Sequence, residues 1–171
     1  MGRVFISGGK GGLARAVAAR FSAAGWAVDA PSRAELDVGD CSAVEEWFAG
    51  RPAYDLAVCA AGVTKDRPFL KQTEDEWDAV MGVNARGAAW CARCAAAGML
   101  REGREGQVVM IGSYAAYRPA PSQAAYAASK SALEGLVKSL AREWGKKGIR
   151  VNLVLPGFLL TDMTCLLYTS P

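Results

Sequence analysis

Short apolar runs alternate with longer stretches of helical periodicity along the whole of this chain. The predicted strands are residues 4–7, 26–30, 54–59, 107–111 and 149–155, and the predicted helices are residues 12–24, 42–49, 76 to about 101, and 123–144. This alternation is typical of a parallel sheet with helices on both faces, and nearly continuous apolar strands suit burial on both sides. The sequence therefore predicts a three-layer, doubly wound α/β fold of the Rossmann type.

Two local patterns refine this prediction. Ser42 with Glu45, and Thr73 with Glu76, have the spacing of capping boxes that start helices. After the second strand, only about four residues precede the segment 35–38, whereas a crossover to a parallel neighbour takes a dozen or more. We therefore expect residues 31–39 to form a tight excursion at the carboxyl edge of the sheet, with a short or missing third strand.

Composition limits the classes of protein that this chain can be. Its 171 residues are 51% hydrophobic, which is enough apolar material for the core of one globular domain. A net charge of +3 without a cluster of cations gives no sign of a nucleic-acid partner. No run reaches the roughly 18 to 20 apolar residues of a membrane span, and no signal peptide precedes the first strand, so a cytoplasmic protein without a membrane contact is expected.

The cysteines are expected to be reduced thiols, because their number, five, is odd and no secretion signal precedes them. Cys91 and Cys94 form a CxxC pair inside a helical stretch, where residues three apart pack on one face. The chain has no histidine and no second cysteine pair at metal-binding spacing. No metal site is therefore expected.

A glycine-rich turn follows the first strand and opens the first helix. Its residues Gly8, Lys10, Gly12 and Leu13 stand in the string Ser-Gly-Gly-Lys-Gly-Gly-Leu-Ala that begins at Ser7. Glycines permit a tight turn and a close approach of the backbone to a pyrophosphate, while the helix start supplies free amides and partial positive charge. A flexible loop between strand and helix is the alternative, but the position near the amino terminus favours dinucleotide binding.

A tyrosine and a lysine lie four residues apart at the start of the last predicted helix. Tyr126 and Lys130 therefore share a helix face, and a cation near a phenol is expected to lower its pKa from about 10 and make it an acid/base group. The isolated pattern is common and often means a core tyrosine with a solvated lysine. Thirteen residues upstream of the tyrosine, however, Ser113 ends a buried strand where doubly wound sheets bind ligands.

Taken in order, these motifs resemble those of the short-chain dehydrogenase/reductase family over about residues 4–164. The matches are the glycine-rich turn, the Cys-Ala-Ala-Gly string at 59–62, Asn84, Ser113, Tyr126 with Lys130, Pro156-Gly157 and Thr161. Cys59 and Ala60 depart from two asparagines of the family, which is expected to loosen a hydrogen bond behind the cofactor. The shortened second crossover is a further departure and affects adenine binding.

The resemblance implies an enzyme that moves a hydride between a nicotinamide and a carbonyl or alcohol. It implies that Ser113 bonds the substrate oxygen, Tyr126 exchanges a proton with it, Lys130 holds the nicotinamide ribose, and Asn84 positions a water that relays protons. The other cofactor contacts that it implies, besides the turn with Ser7, are Asp37 and Val38 at the adenine, Ala61 and Gly62 at the adjacent ribose, and Pro156, Gly157 and Thr161 at the nicotinamide.

The end of the second strand bears on the choice of cofactor. In the family, an Asp there bonds the ribose 2′-hydroxyl of NAD, whereas this chain aligns Ser32 at that position and Arg33 after it. With Lys10 as a second cation, NADP(H) is expected over NAD(H). Two alternatives remain: Arg33 could be a solvated loop residue, and Asp29 could support NAD, although it should face away.

Several strings narrow the resemblance further. Residues 61–66, 138–143 and 156–164 are similar to those of 3-oxoacyl-acyl-carrier-protein reductases and acetoacetyl-coenzyme A reductases, so a small-molecule or carrier-linked carbonyl substrate is expected. Such strings recur in reductases of other substrates in the family. Two alternatives remain for four cations near helix ends: they could contact an acidic carrier protein, or they could only stabilise the helix dipoles. These residues are Arg101, Arg104, Lys146 and Lys147.

The carboxyl-terminal part departs from the family. Members continue with further helices and a seventh strand, whereas residues 165–171 are expected to be a non-native tail and residues 1–164 an incomplete catalytic domain. Loss of the last strand would leave residues 149–155 as an apolar sheet edge prone to aggregation. An alternative function is therefore an NADP-binding fragment without turnover. The family also implies a dimer or tetramer, formed through the two long helices.

Overall fold

The computed structural model describes residues 1–159, which form a five-stranded, wholly parallel sheet flanked by helices. The strands are β1 (Arg3–Ile6), β2 (Ala27–Asp29), β3 (Leu56–Cys59), β4 (Gly106–Ile111) and β5 (Ile149–Val154). The helices are α1 (Gly12–Ala23), α2 (Cys41–Ala49), α3 (Glu74–Met81), α4 (Ala88–Arg101) and α5 (Ala124–Trp144). Short 3₁₀ turns cover Phe69–Lys71, Tyr114–Ala116 and Gly145–Lys147. The predicted fold class is confirmed.

The order of the strands, β2-β1-β3-β4-β5, places the reversal of winding between β1 and β3. Alternate residues of β1 enter different cores. Val4 and Ile6 pack with α1 on one face, whereas Phe5 packs with α2 on the other, and all three are fully buried. This burial on both faces is why the strands are almost continuously apolar. The carboxyl ends of β1 and β3 diverge into separate connections, which opens a crevice between them.

The shortened crossover that the sequence predicts is present. β2 has only three residues, and no strand is found between it and Cys41, where α2 begins. Residues 30–40 instead run as turns along the carboxyl edge of the sheet. Within residues 1–159, β2 is therefore one edge of the sheet and β5 the other, and Val154 of β5 is 47% exposed.

One of the two predicted capping boxes is wrong. The N-cap of α2 is Asp40, whose Oδ1 accepts hydrogen bonds from the backbone N–H groups of Ser42 at 2.8 Å and Ala43 at 3.3 Å. Ser42 lies already inside the first turn, so its hydroxyl does not cap the helix. The second box is confirmed, because Thr73 and Glu76 each accept a bond from the other's backbone N–H.

The predicted helix over residues 76–101 contains an irregularity. α3 and α4 are joined without a break by a π-helical segment, Gly82–Gly87, which carries Asn84. The wider turn of a π segment replaces the usual i to i+4 bonding and is common near functional sites. Hydrophobic periodicity alone did not predict it.

The cations considered for a carrier protein lie on the side of the sheet away from the crevice. Arg101 ends α4 and Arg104 precedes β4, while Lys146 and Lys147 precede β5, so all four stand where strands begin. Arg104 is bonded to Asp55 and lies near Glu102. This placement favours a role at helix ends over contact with a carrier at the crevice.

None of the helices within residues 1–159 is both long and apolar enough to cross a membrane.

The N-cap of α2 can be tested by thermodynamic measurement. Replacing Asp40 with Ala removes the acceptor of two helix N–H groups and should lower the free energy of unfolding by about 1 kcal/mol. Ser42→Ala, two residues away, is the matched control and should change it by less than about 0.5 kcal/mol. Urea denaturation of both variants decides between the two caps, and a larger loss for the serine variant would restore the capping box that the sequence predicted.

Candidate active site

A cleft of about 430 Å³ lies along the carboxyl edge of the sheet, at the reversal between β1 and β3. This volume is within the usual range for small-molecule sites. Most of the predicted site residues line it, namely Gly8, Lys10, Gly12, Leu13, Arg33, Asp37, Val38, Ala61, Gly62, Ser113, Tyr126, Lys130, Pro156 and Gly157. Ser7, Ser32 and Asn84 do not line it and are buried behind its wall. Thr161 lies outside the described residues.

The glycine-rich turn has the shape that its composition predicts. Gly8 has a φ of +74°, and a Cβ there would lie 2.9 Å from the Cα of Ala61. A Cβ on Gly9 would lie only 1.9 Å from the carbonyl oxygen of Ala30. Side chains are therefore excluded at both positions, because the backbones after β2 and β3 approach too closely. Gly11 caps α1 without a side-chain hydrogen bond, so the first amides of the helix remain available to an anion.

Ser7 supports this turn from behind. Its hydroxyl oxygen accepts hydrogen bonds from the N–H groups of Ala60 at 2.9 Å and Ala61 at 3.0 Å, and its side chain is buried. It therefore joins the end of β1 to the segment after β3. The neighbouring Cys59, where the family has an asparagine, points into the core and donates its thiol hydrogen to the carbonyl of Ala88.

In the loop after β2, at one end of the cleft, two acidic residues accept hydrogen bonds from their own loop. Asp37 accepts a bond from Arg33 Nε at 3.1 Å. Ser32 donates both its N–H and its hydroxyl to Glu35. The Ser-x-x-Glu spacing of a capping box was the only signal for this pair in the sequence. Asp29 is turned away from the cleft.

Asp29 lies instead in a polar cluster beside the opening strands. Its Oδ2 accepts bonds from Arg3 at 2.9 Å and from the hydroxyl of the buried Tyr54 at 2.8 Å. Burial and the Asp29 contact raise the pKa of Tyr54 to about 12, so this phenol stays protonated and donates to the carboxylate. Asp29 is therefore committed to holding β1, β2 and the start of β3 together.

Lys130 is the most unusual charge in the cleft. It is only 4% exposed, and its Nζ donates to the carbonyl oxygen of Ile111, at the end of β4, at 2.7 Å. Burial lowers its pKa from 10.5 to about 8. Its Nζ lies 5.8 Å from the centroid of the Tyr126 ring, so the two predicted partners share one wall of the cleft. The structure thus rules out the solvated lysine considered above.

The expected effect of Lys130 on Tyr126 is not found. The pKa of Tyr126 is raised rather than lowered, because burial of the phenol outweighs the neighbouring Ser113 hydroxyl, which acts to lower it, and the Asp66 carboxylate adds to the increase. Lys130 directs its hydrogen bond to the backbone of β4 and not to the phenol. The protonated phenol is the form that can donate a proton to a substrate oxygen.

Asn84 supports the wall of the cleft that carries Tyr126. Its Oδ1 accepts from the N–H of Val63 at 2.8 Å, and its Nδ2 donates to the carbonyl of Val63 at 2.9 Å and to Ser129 Oγ at 3.0 Å. Ser129, fully buried, donates in turn to the carbonyl of Tyr126 at 2.7 Å. Asn84 thereby ties the segment after β3 to the helix that carries the tyrosine. Ser129 was missed in the sequence, where its only signal was a polar residue on the buried face of α5.

Comparison with known proteins gives a family match over most of the chain. A family model described as enoyl-(acyl carrier protein) reductase matches residues 10–169. The chain is 39% identical to (3R)-3-hydroxyacyl-CoA dehydrogenase of Canis lupus familiaris over 71% of its length and 46% of that protein. It is 38% identical to 3-oxoacyl-[acyl-carrier-protein] reductase of Staphylococcus aureus over 71% of its length and 49% of that protein. Acetoacetyl-CoA reductase of Synechocystis is 42% identical over 66% of this chain and 46% of that protein.

Solved structures agree with these matches. A 4-hydroxyisoleucine dehydrogenase complexed with NADH is similar with a TM-score of 0.91 and 27% identity, over 99% of this chain and 81% of that chain. A protein described as NAD(P)-dependent gluconate 5-dehydrogenase, from Beutenbergia cavernae with bound NADP, has a TM-score of 0.84 and 28% identity over 98% of this chain and 76% of that chain. The chain spans about half the length of the curated relatives that it matches.

The depressed pKa of Lys130 predicts how stability depends on pH. Between pH 8 and 10.5 the unfolded chain binds more protons at this residue than the folded chain, so the wild type gains stability as pH rises through this window. Below pH 8 the buried charge costs about 3 kcal/mol, and Lys130→Met should raise the free energy of unfolding by about 2 kcal/mol after loss of one hydrogen bond.

Denaturation of the wild type and of Lys130→Met at pH 7 and pH 10.5 measures this effect. The advantage of the methionine variant should shrink towards zero at the higher pH. Lys146→Met, at an exposed position, is the matched control and should show no such convergence. A methionine variant that is less stable than the wild type at pH 7 would contradict the assignment of a buried, costly charge.

Proposed function

Because this chain belongs to the short-chain dehydrogenase/reductase family, we propose that it is an NADP(H)-dependent oxidoreductase acting on a carbonyl or alcohol group. The observation that carries the proposal is that Ser113, Tyr126 and Lys130 converge on the same cleft as the glycine-rich turn. A hydroxyl, a protonated phenol and a buried ammonium at one end, with unblocked helix amides at the other, suit a nicotinamide dinucleotide and a polar carbonyl.

The residues of the cleft fit the cofactor. The absence of a Cβ at Gly8 and Gly9 leaves the backbone of the turn bare, and the amides that open α1 can bind a pyrophosphate. The nicotinamide, when bound, supplies or accepts the hydride. Pro156 and Gly157, which follow β5, line the same cleft beside Ser113 and are proposed to contact the nicotinamide.

The proton chemistry belongs to three side chains. Tyr126, whose raised pKa keeps its phenol protonated, donates a proton to the carbonyl oxygen during reduction. Ser113 donates a hydrogen bond to the same oxygen and holds it near the phenol. Lys130, held by the carbonyl of Ile111, stays protonated in the same wall of the cleft at neutral pH, with its Nζ 5.8 Å from the centroid of the Tyr126 ring, and resupplies the proton that the phenol gives up.

Replacement of that proton uses the space beside Gly62. A Cβ added there would lie 3.5 Å from Asn84 Oδ1 and 3.6 Å from Lys130 Nζ. The missing side chain thus leaves room next to an acceptor and a donor, and a water at this point reaches both. This supports the role of Asn84 in holding a water that relays protons from Lys130.

The preference for NADP(H) is supported by the charges at the other end of the cleft. Lys10 and Arg33 line it, and Asp29, the carboxylate that would favour NAD, is bonded to Arg3 and Tyr54 instead. Solved relatives are described with NADH and with NADP, so the family itself accommodates either. A 2′-phosphate next to two cations is favourable where a 2′-hydroxyl gains little.

The substrate class proposed is a 3-oxoacyl thioester. Two curated relatives are named for reductions of 3-oxoacyl or acetoacetyl groups, and a third for a 3-hydroxyacyl-CoA. A small or carrier-linked thioester must enter from the carboxyl edge of the sheet, where the cleft opens. The four cations considered for carrier contact lie at the opposite edge and do not support that contact.

Cofactor binding without turnover is the second candidate function. It requires only the bare backbone of the glycine-rich turn and the amides that open α1, both of which are present. The two functions share the glycine-rich turn and differ in whether the catalytic side chains act. An assay that measures binding and consumption separately distinguishes them.

Activity is tested by adding NADPH and acetoacetyl-coenzyme A and following nicotinamide absorbance. Tyr126→Phe removes the proton donor and should lower turnover by at least about 100-fold while leaving NADPH affinity within about twofold. Tyr117→Phe, at an exposed tyrosine that donates to Glu134, is the matched control and should keep full activity. Binding of NADPH without its consumption by the wild type would favour the second function.

Association through the long helices is also proposed. The groove between α4 and α5 is lined by exposed and half-buried apolar side chains, among them Trp90, Ala97 and Leu100 on α4, and Leu136 and Leu140 on α5. Small residues on α4 permit a close approach of a second copy. A dimer or tetramer formed here would cover this apolar surface.

Sedimentation at micromolar concentration checks this. The wild type should sediment as a dimer or tetramer, and Ala97→Arg, which places a bulky charge in the groove, should shift it to the monomer. Ala49→Arg, at the exposed end of α2, should leave the assembly intact. A monomeric wild type would refute the proposed association.

A further inference from the structure

The turn that follows β2 holds a carboxylate of its own chain. Glu35 accepts hydrogen bonds from Ser32 N–H at 2.8 Å and from Ser32 Oγ at 2.7 Å, and both end on the same oxygen, Oε2. The carbonyl of Ser32 accepts in turn from the N–H groups of Glu35 and Leu36, which closes the turn. An N–H and an O–H aimed at one point form an arrangement that binds anions. Here the anion is a side chain.

This turn adjoins the glycine-rich turn. Gly9 N–H donates to the carbonyl of Pro31 at 2.8 Å. The carbonyl of Ala30 lies so near Gly9 that a Cβ there would come within 1.9 Å of its oxygen. Lys10 and Arg33 line the cleft here, whereas Ser32, 6% exposed, and Glu35 stand just outside its lining. Glu35 is exposed and belongs to the same turn as Arg33, one of the two cations that are expected to meet a 2′-phosphate.

Glu35 is ionised at neutral pH. The hydrogen bond from the Ser32 backbone lowers its pKa most, followed by that from the Ser32 hydroxyl; partial burial opposes them, and the positive charge of Lys10 makes the smallest contribution to the lowering. Arg33, the second cation, already shares its charge with Asp37 at 3.1 Å. Arg33 thus has a carboxylate within bonding distance, whereas Glu35 and Lys10 interact only through their charges.

We propose that Glu35 is a specificity-determining residue for the cofactor, because its carboxylate occupies the two donors of Ser32 and offsets the charge of Lys10. It thereby weakens binding of the 2′-phosphate that distinguishes NADPH from NADH. The chain consequently uses both dinucleotides, with a smaller preference for NADPH than its two cations alone would give. This role rests on the proposed function as a nicotinamide-dependent enzyme.

The test is a fluorescence titration of the full chain with NADPH and with NADH. Glu35→Gln keeps an oxygen for the Ser32 donors and removes the charge, and it should raise the ratio of NADPH to NADH affinity roughly three- to tenfold. Glu35→Ala also frees both donors and should raise the ratio at least as far. Glu46→Gln, at an exposed position on α2, makes the same change in net charge and should leave the ratio unaltered.

Thermal midpoints of each variant establish that the chains compared are folded, and the near-isosteric glutamine is the deciding variant. If both dinucleotides bind and the glutamine ratio stays within twofold of the wild type, or falls, the proposed role of Glu35 is overturned. A wild type that binds neither dinucleotide would instead overturn the proposed function, and the role of Glu35 with it.

Discussion

The contact between the ends of β1 and β3 is the constraint on which the site depends. Neighbouring parallel strands lead into connections on opposite sides of the sheet there, and Ser7 joins them by accepting two backbone N–H groups. Gly8 lets the two backbones touch, since a Cβ would lie 2.9 Å from Ala61. If this junction opened, the amides of α1 and the wall that carries Tyr126 and Lys130 would no longer face one cleft. The Ser7 hydroxyl thus bonds the two connections to each other, and the lack of a side chain at Gly8 lets them approach closely enough for this.

Those parts of the fold that depend on local pattern could be predicted from the sequence. Runs of apolar residues located the five strands that lie within residues 1–159. The spacing of Tyr126 and Lys130 placed both on one helix face, which lines the cleft. The roughly four residues between the predicted second strand and the segment 35–38 were too few for a crossover to a parallel neighbour, and chain length alone indicated this. Gly8 and Gly9 indicated a tight turn with close backbone contacts, because two residues without side chains are rarely needed between a strand and a helix for another reason.

The predictions that failed depended on interactions in three dimensions. Asp40 displaced Ser42 as the cap of α2 because the chain entered the helix two residues earlier, which spacing could not decide. The pKa of Tyr126 is raised, and not lowered as predicted, because its phenol is buried. Lys130 donates its hydrogen bond to the backbone of β4 and not to the phenol. Glu35 escaped notice because its partner is three residues away, in a segment first regarded as a loop. The cap of α2, the hydrogen bond of Lys130 and the contact of Glu35 each depended on which of several available partners a polar group binds.

The π-helical segment has a consequence for the phase of the helix that contains it. One additional residue per turn rotates everything that follows by about 100° relative to an unbroken α-helix. α3, before the segment, packs on α5, whereas α4, after it, packs on α2 and on β3 and β4. One continuous helical segment, from α3 to α4, therefore packs against different elements on different sides. Asn84 lies in the π-helical turn where the packing face of this segment changes. Asn84, which ties the segment after β3 to the helix that carries Tyr126, thus lies where the faces of the helix change direction.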